Sequence, residues 1–306
     1  MSLARRALLA LSASAWLRDR ATQSRIVRRS VRRFMPGERL DDALEAARQQ
    51  HANGITAILT HLGENLTERG QAEAVAAHYI DVLDRIATSG LDVHISVKLT
   101  QIGLDFDLEL CFRHLRLVID HANQRQQFVW IDMESSAYVD RTLDLFRRAC
   151  GLSPRVGIAL QAYLHRTEHD LDRLLSVAPA IRLVKGAYLE SPSIAWPGKS
   201  DVDANYYRLG ARLLMAAGGG GPLVHIATHD PVLVDRLRAF ATEHTVPLSK
   251  HEYAMLYGIQ RPLQQRLAAE GQRVRVLIAY GDNWFPWYMR RLAERPANVW
   301  FLIKNL

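Results

Sequence analysis

VGIALQAYLHRTEHDLDRLLSVAPAIRLVKGAY, residues Val156 to Tyr188, decides the fold. It opens on VGIALQAY, a run that is apolar at nearly every position. A strand buried on both faces needs that composition, whereas a half-solvated strand alternates. EHDLDRLLSVA follows, with apolar residues at helical spacing. A second nearly continuous run, IRLVKGAY, closes the stretch. Two doubly buried strands joined through one helix form a βαβ unit, and its strands lie parallel.

The same unit recurs in both directions. Upstream lie GITAILTHLG, VHISVKLT and FVWIDM; downstream lie LVHIATH, LSKHEYAML and VRVLIAYG. DLELCFRHLRLVIDHAN and YVDRTLDLFRRAC separate two of these pairs with clear helical patterns. GGGG at Gly218 to Gly221 reads as the turn into the sixth strand. Eight strand-then-helix repeats predict an α/β chain folded as a (β/α)₈ barrel of the TIM type. The barrel is assigned to residues 51–306 and a helical arm to residues 1–50.

Bulk properties are consistent with that class. The 306 residues are 48% hydrophobic and 23% charged, as expected of a globular enzyme-sized domain. Cys111 and Cys150 have no paired-cysteine spacing, which suggests a reducing, cytoplasmic compartment. No apolar run reaches the ~18 residues of a membrane span. The net charge of +7 is unevenly placed. Residues 1–35 hold nine arginines and one acid, Asp19, so the body is slightly acidic. LARRALLALSASAWL carries apolar residues at helical spacing inside that segment. Three readings of the arm stay open: packing on the barrel, attachment to anionic lipid on the inner face of the membrane, or an organellar transit segment. Nucleic acid is not expected, because the body has no basic stripe.

In barrels of this type chemistry sits at the C-terminal mouth, on residues from several strand ends. Those ends carry Glu64, Lys98, Asp132, Met133, Gln161, Arg182, Lys185, Tyr188, Thr228, His229 and Tyr280. Arg182 and Lys185 suit an anionic ligand, and Gly186 lets backbone approach it closely. No GxGxxG follows a strand, and no HExxH or paired CxxC is present, so neither a Rossmann nucleotide site nor a metal is expected. GDNWFPWYMRRLAER, residues 281–295, places Arg290 and Arg291 on a helix after the eighth strand. Two guanidinium forks with Lys98 suit a carboxylate; salt bridges to Glu294 and other acids are the alternative.

Taken in order, VSVKLTQIGLD, WIDMESS, IALQAYLHRT, IRLVKGAYLES, IATHD, EYAMLYGI and AYGDNWFPWYMRRLAER resemble the proline dehydrogenases, both the monofunctional bacterial type and the barrel of the bifunctional proline utilization proteins. The resemblance covers roughly residues 54–306. It implies a distorted (β/α)₈ barrel that binds FAD and oxidises L-proline to Δ1-pyrroline-5-carboxylate, the first step of proline catabolism to glutamate. Hydride passes to flavin N5 and the electrons go on to a membrane quinone. By position, Arg290, Arg291 and Lys98 resemble the carboxylate clamp, and Tyr280 the tyrosine beside the proline ring. Asp132 matches an active-site acid, and Glu64 an acid that closes the site. Met133, Gln161, Arg182, Lys185, Gly186, Ala187, Tyr188, Thr228 and His229 resemble cofactor contacts, with Arg182 near N5. Asp230 departs from the family's usual asparagine, and an anion near a cofactor phosphate is expected to point elsewhere. Two rival readings remain: a flavin-free Schiff-base lyase or aldolase using Lys98 or Lys185, and a basic-arm protein without catalysis. Deleting Met1–Met35 is expected to spare dye reduction and weaken only membrane binding.

Overall fold

The computed structural model describes residues 25–63 and 66–293. Two helices precede the barrel, α1 (Arg25–Val31) and α2 (Leu40–His51). The barrel strands are β1 (Thr56–His61), β2 (Val93–Val97), β3 (Val129–Ile131), β4 (Val156–Gln161), β5 (Ala180–Val184), β6 (Leu223–Ala227), β7 (His251–Leu256) and β8 (Val274–Tyr280). Each is followed by a helix: α3 (Arg69–Ser89), α4 (Leu108–Gln124), α5 (Val139–Cys150), α6 (Thr167–Leu174), α7 (Lys199–Gly218), α8 (Pro231–Glu243), α9 (Arg261–Ala269) and α10 (Trp284–Ala293). The strands form one closed parallel barrel in sequence order, and β1 meets β8 from Thr56–Arg275 to His61–Tyr280.

Continuous apolar runs became strands buried at every position, as in β4. Inside the barrel, Ile58, Trp130 and Ala180 pack together. A Cβ on Gly157 would lie 2.5 Å from the Trp130 ring, so a side chain there would expel the indole. The N-terminal end of the lumen is charged instead. Arg275 donates to Glu252 from Nε at 2.6 Å, and to Asp92 and the Ala57 carbonyl from Nη1 at 3.1 Å each. His225 Nε2 lies 3.2 Å from Glu252. This plug fills the N-terminal half of the lumen with paired charges.

The described part of the arm packs on the barrel. α2 lies across β8 and β1 through Leu40, Ala43, Leu44, Ala46 and Ala47. Val27, Val31 and Met35 are buried against Trp284, Phe285, Trp287, Tyr288 and Met289 of α10. Ser30 Oγ and Tyr288 Oη are 2.6 Å apart, and Trp284 Nε1 donates to Glu38 at 3.0 Å.

Candidate active site

Strand ends and loops at the C-terminal mouth enclose a cavity of about 670 Å³. Arg182, 3% exposed, comes up from β5 over the face of Trp130, 5.1 Å from the ring centre. Its Nη2 donates to Ser96 Oγ at 3.0 Å and pairs with Asp132 Oδ1. Ser96 Oγ in turn donates to Asp132 Oδ1 at 2.8 Å. Burial pushes the Arg182 pKa down, and Asp132 opposes that shift. Nη1 of Arg182 is buried with no hydrogen-bond partner. A buried guanidinium N–H without a partner is costly, so it marks a place where a ligand acceptor is missing.

Lys98 and Met133 line the cavity with Asp132. Gln161 donates to the Met133 carbonyl at 3.3 Å, while its Oε1 is buried without a partner. Lys185, Gly186, Ala187 and Tyr188 form the wall beyond β5. Gly186 has φ +117°, and a Cβ there would lie 2.1 Å from the Tyr163 ring, so only glycine serves. Thr228 and His229 end β6 on the same cavity. His229 Nε2 accepts from the Leu256 amide at 2.9 Å. Eleven residues predicted for the site therefore meet in one place.

Asp230 also lines this cavity, which differs from the expectation that it points away. Its charge is matched locally. Oδ2 accepts from Lys185 Nζ at 3.1 Å and Lys199 Nζ at 3.3 Å, and Oδ1 caps α8 through the Val232 amide at 3.2 Å. Burial pushes its carboxyl up, but the two lysines outweigh burial and hold it below the usual range. Asp203 bridges the same two ammonium groups.

Tyr280 is not among the residues that line this cavity. Its hydroxyl is 2.8 Å from His78 Nε2 on α3, and its ring packs 5.4 Å from that of His61, on the outside of the barrel. Successive strand residues face opposite sides. Leu277, an odd number of positions earlier, faces the lumen and lines the cavity. Arg290 and Arg291 lie on α10, with side chains outside the described residues, as does all of Glu64. Trp287 of the same helix reaches the cavity wall.

Sequence reasoning offered an arm packed on the barrel but did not place it at the cavity. Arg33 and Phe34 line the cavity from above. The arm crosses the turn at Gly258, where a Cβ would sit 1.7 Å from the Arg33 carbonyl oxygen. The available signal was apolar spacing in Val27, Val31 and Met35, which marks a buried face without naming what it meets.

The family model for proline dehydrogenase matches residues 43–304. The chain belongs to the proline dehydrogenase family. Among its relatives is proline dehydrogenase 1 of Bacillus subtilis subsp. natto, 37% identical over 279 residues and 91% of each chain. Proline dehydrogenase 2 of the same organism is 36% identical over 308 residues, 100% of this chain and 99% of that one. The Deinococcus radiodurans proline dehydrogenase is 37% identical over 279 residues, 90% of this chain and 89% of that one. In fold, the chain matches proline utilization A from Bdellovibrio bacteriovorus inactivated by N-propargylglycine, with a TM-score of 0.81 and 23% identity. That match covers 87% of this chain and 32% of the larger protein, and it speaks for the proline dehydrogenase fold alone.

Proposed function

We propose that this chain oxidises L-proline to Δ1-pyrroline-5-carboxylate with FAD in the mouth cavity, and passes the electrons to a membrane quinone. The observation that carries the reading is the Arg182–Asp132–Ser96 group with its unpartnered Nη1, in a cavity also lined by Lys98 and by Trp287 of the helix that carries Arg290 and Arg291.

FAD fits the residues present. The cavity volume lies in the range of cofactor sites. Buried polar atoms on Arg182 and Gln161 await partners. Lys185 and Lys199 line the cavity beside the N-terminus of α8, where a phosphate would compete with Asp203 and Asp230 for the two ammonium groups. Bound there, FAD supplies the two-electron acceptor.

The protein's own part is position and charge. Lys98, with Arg290 and Arg291, neutralises the proline carboxylate and orients the ring, so that C5 is presented to the acceptor at one distance. C5 would give up a hydride to the bound acceptor and the ring nitrogen a proton to solvent, which leaves the C=N bond of the product. Apolar surface from Ile58, Leu277 and Trp287 keeps water from the reacting carbon. The Schiff-base alternative at Lys185 is disfavoured because that lysine is tied to two carboxylates, whereas a nucleophilic lysine sits in an apolar pocket or beside another cation.

Among the described residues no helix is long and apolar enough to cross a membrane. Quinone reduction then calls for peripheral contact with the bilayer from a cytoplasmic enzyme, and residues 1–24 are the segment proposed to provide it. The test is a visible spectrum of the purified protein, repeated anaerobically with L-proline. A flavin spectrum that bleaches is the expected result. A colourless protein that takes up no FAD would overturn the reading.

A further inference from the structure

Ser96 is fully buried on β2, two residues before Lys98 and so on the same, lumenal face of the strand. A small polar residue in the apolar run VHISV needs a reason, because an unsatisfied hydroxyl in the lumen is costly. Here the hydroxyl is used twice. It donates to Asp132 Oδ1 at 2.8 Å and accepts from Arg182 Nη2 at 3.0 Å. Its backbone is held as well. Tyr79 Oη on α3 donates to the Ser96 carbonyl at 3.0 Å and accepts from the His61 amide at 3.3 Å.

Without Ser96, Asp132 and Arg182 would meet at one point, Oδ1 to Nη2. A single-point ion pair swivels, and a guanidinium beside a free carboxylate tends toward two-point contact. That rotation would commit Nη1 to Asp132. With the hydroxyl wedged between them, Nη2 serves both neighbours and Nη1 stays uncommitted.

We propose that Ser96 is a positioning residue of the active site: its hydroxyl fixes the Asp132–Arg182 pair in the geometry that leaves one guanidinium N–H for the cofactor. The proposal rests on the flavin reading above. Ser96 touches neither substrate nor cofactor; it acts through Arg182, whose positive charge favours the reduced, negatively charged flavin.

The experiment uses the FAD-loaded full-length enzyme in four forms: wild type, Ser96→Ala, Ser96→Thr and Arg182→Met. Two quantities are read: the midpoint potential of the bound flavin and the anaerobic single-turnover rate of its reduction by L-proline. Ser96→Ala is expected to lower the potential in the same direction as Arg182→Met, by less. The single-turnover rate should fall on the order of tenfold, as for loss of a hydrogen bond to a charged group, with the proline dissociation constant held within about twofold. Ser96→Thr keeps the hydroxyl and should restore both quantities. A wild-type potential and rate in Ser96→Ala would overturn the proposal. So would a Ser96→Thr enzyme as impaired as Ser96→Ala, which would assign the effect to packing. If Arg182→Met itself leaves the potential unchanged, Arg182 does not tune the flavin and the proposal is overturned while the flavin reading stands; a wild-type protein that takes up no FAD would remove the flavin reading itself.

Discussion

Tyr280 shows what a single residue's number can and cannot convey. Beyond Arg275 the run VRVLIAYG is apolar on both faces, so its pattern alone does not mark which of its later residues look into the lumen. The strand's register decides it, and Leu277 takes the inward place. Polar strand-end residues such as Lys98, Asp132 and His229 were legible because the mouth of a parallel barrel is where such groups gather. Ser96 was not, since a serine inside a strand run has no signature until its partners are known. The consequence for Tyr280 is specific. Tyr280→Phe removes the hydroxyl bonded to His78 and nothing at the cavity. Its cost should be about 1 kcal/mol of stability, read by urea denaturation, with the proline KM within about twofold of wild type. A KM raised tenfold at unchanged stability would return Tyr280 to the substrate site.

At the scale of elements, the arm and α10 each advertised an apolar face, but their pairing spans some 250 residues, and local pattern carries no such information. Arg-rich composition also drew attention to membranes, although Val27, Val31 and Met35 are buried against Trp284, Phe285, Trp287, Tyr288 and Met289. The deletion of Met1–Met35 would therefore strip away part of the cavity wall, Arg33 included, and expose the apolar face of α10; only residues 1–24 can be removed to ask about membranes. Val31→Asp places a carboxylate among these rings, at a cost of ~2–4 kcal/mol that detaching α1 relieves. Trypsin should then cut the arm at its arginines at lower protease concentration than in wild type. The proline KM should rise several-fold, because α10 carries Arg290 and Arg291 and loses its packing partner. An arm that is released while KM stays constant would separate it from substrate binding.

For the whole molecule, barrel closure followed from eight continuous apolar runs, yet those runs hid a charged interior. Glu252 and Arg275 stand inside two of those runs, and closure brings them to 2.6 Å from each other with no solvent between strands to screen them. The same closure buries His225, covers most of His94, and sets the His61 ring at the end of β1 against His78 and Tyr280. Burial is the main cause that depresses all three; His225 and His61 fall to about 4, and His94 lies well below its ordinary value. In the unfolded chain they titrate near 6.5. Above that pH both states are neutral at these sites, and the full stability is present. As pH falls from about 6.5 to 4, the unfolded chain takes up protons that the folded chain refuses, so stability drops by up to ~1.4 kcal/mol per pH unit for each histidine. For Glu252, burial pushes the carboxyl up, but His225 and Arg275 outweigh it and hold it well below its ordinary value. Its contribution is lost only below about pH 4.3, where the unfolded carboxylate begins to protonate. The urea midpoint should therefore fall steeply between pH 6.5 and 4.5, before carboxylates titrate, and His225→Gln should flatten that slope even if it lowers the midpoint at pH 7. A midpoint that is level from pH 7 to 4.5 would mean that these histidines accept protons in the folded barrel, and that the lumen is wetter than its packing implies.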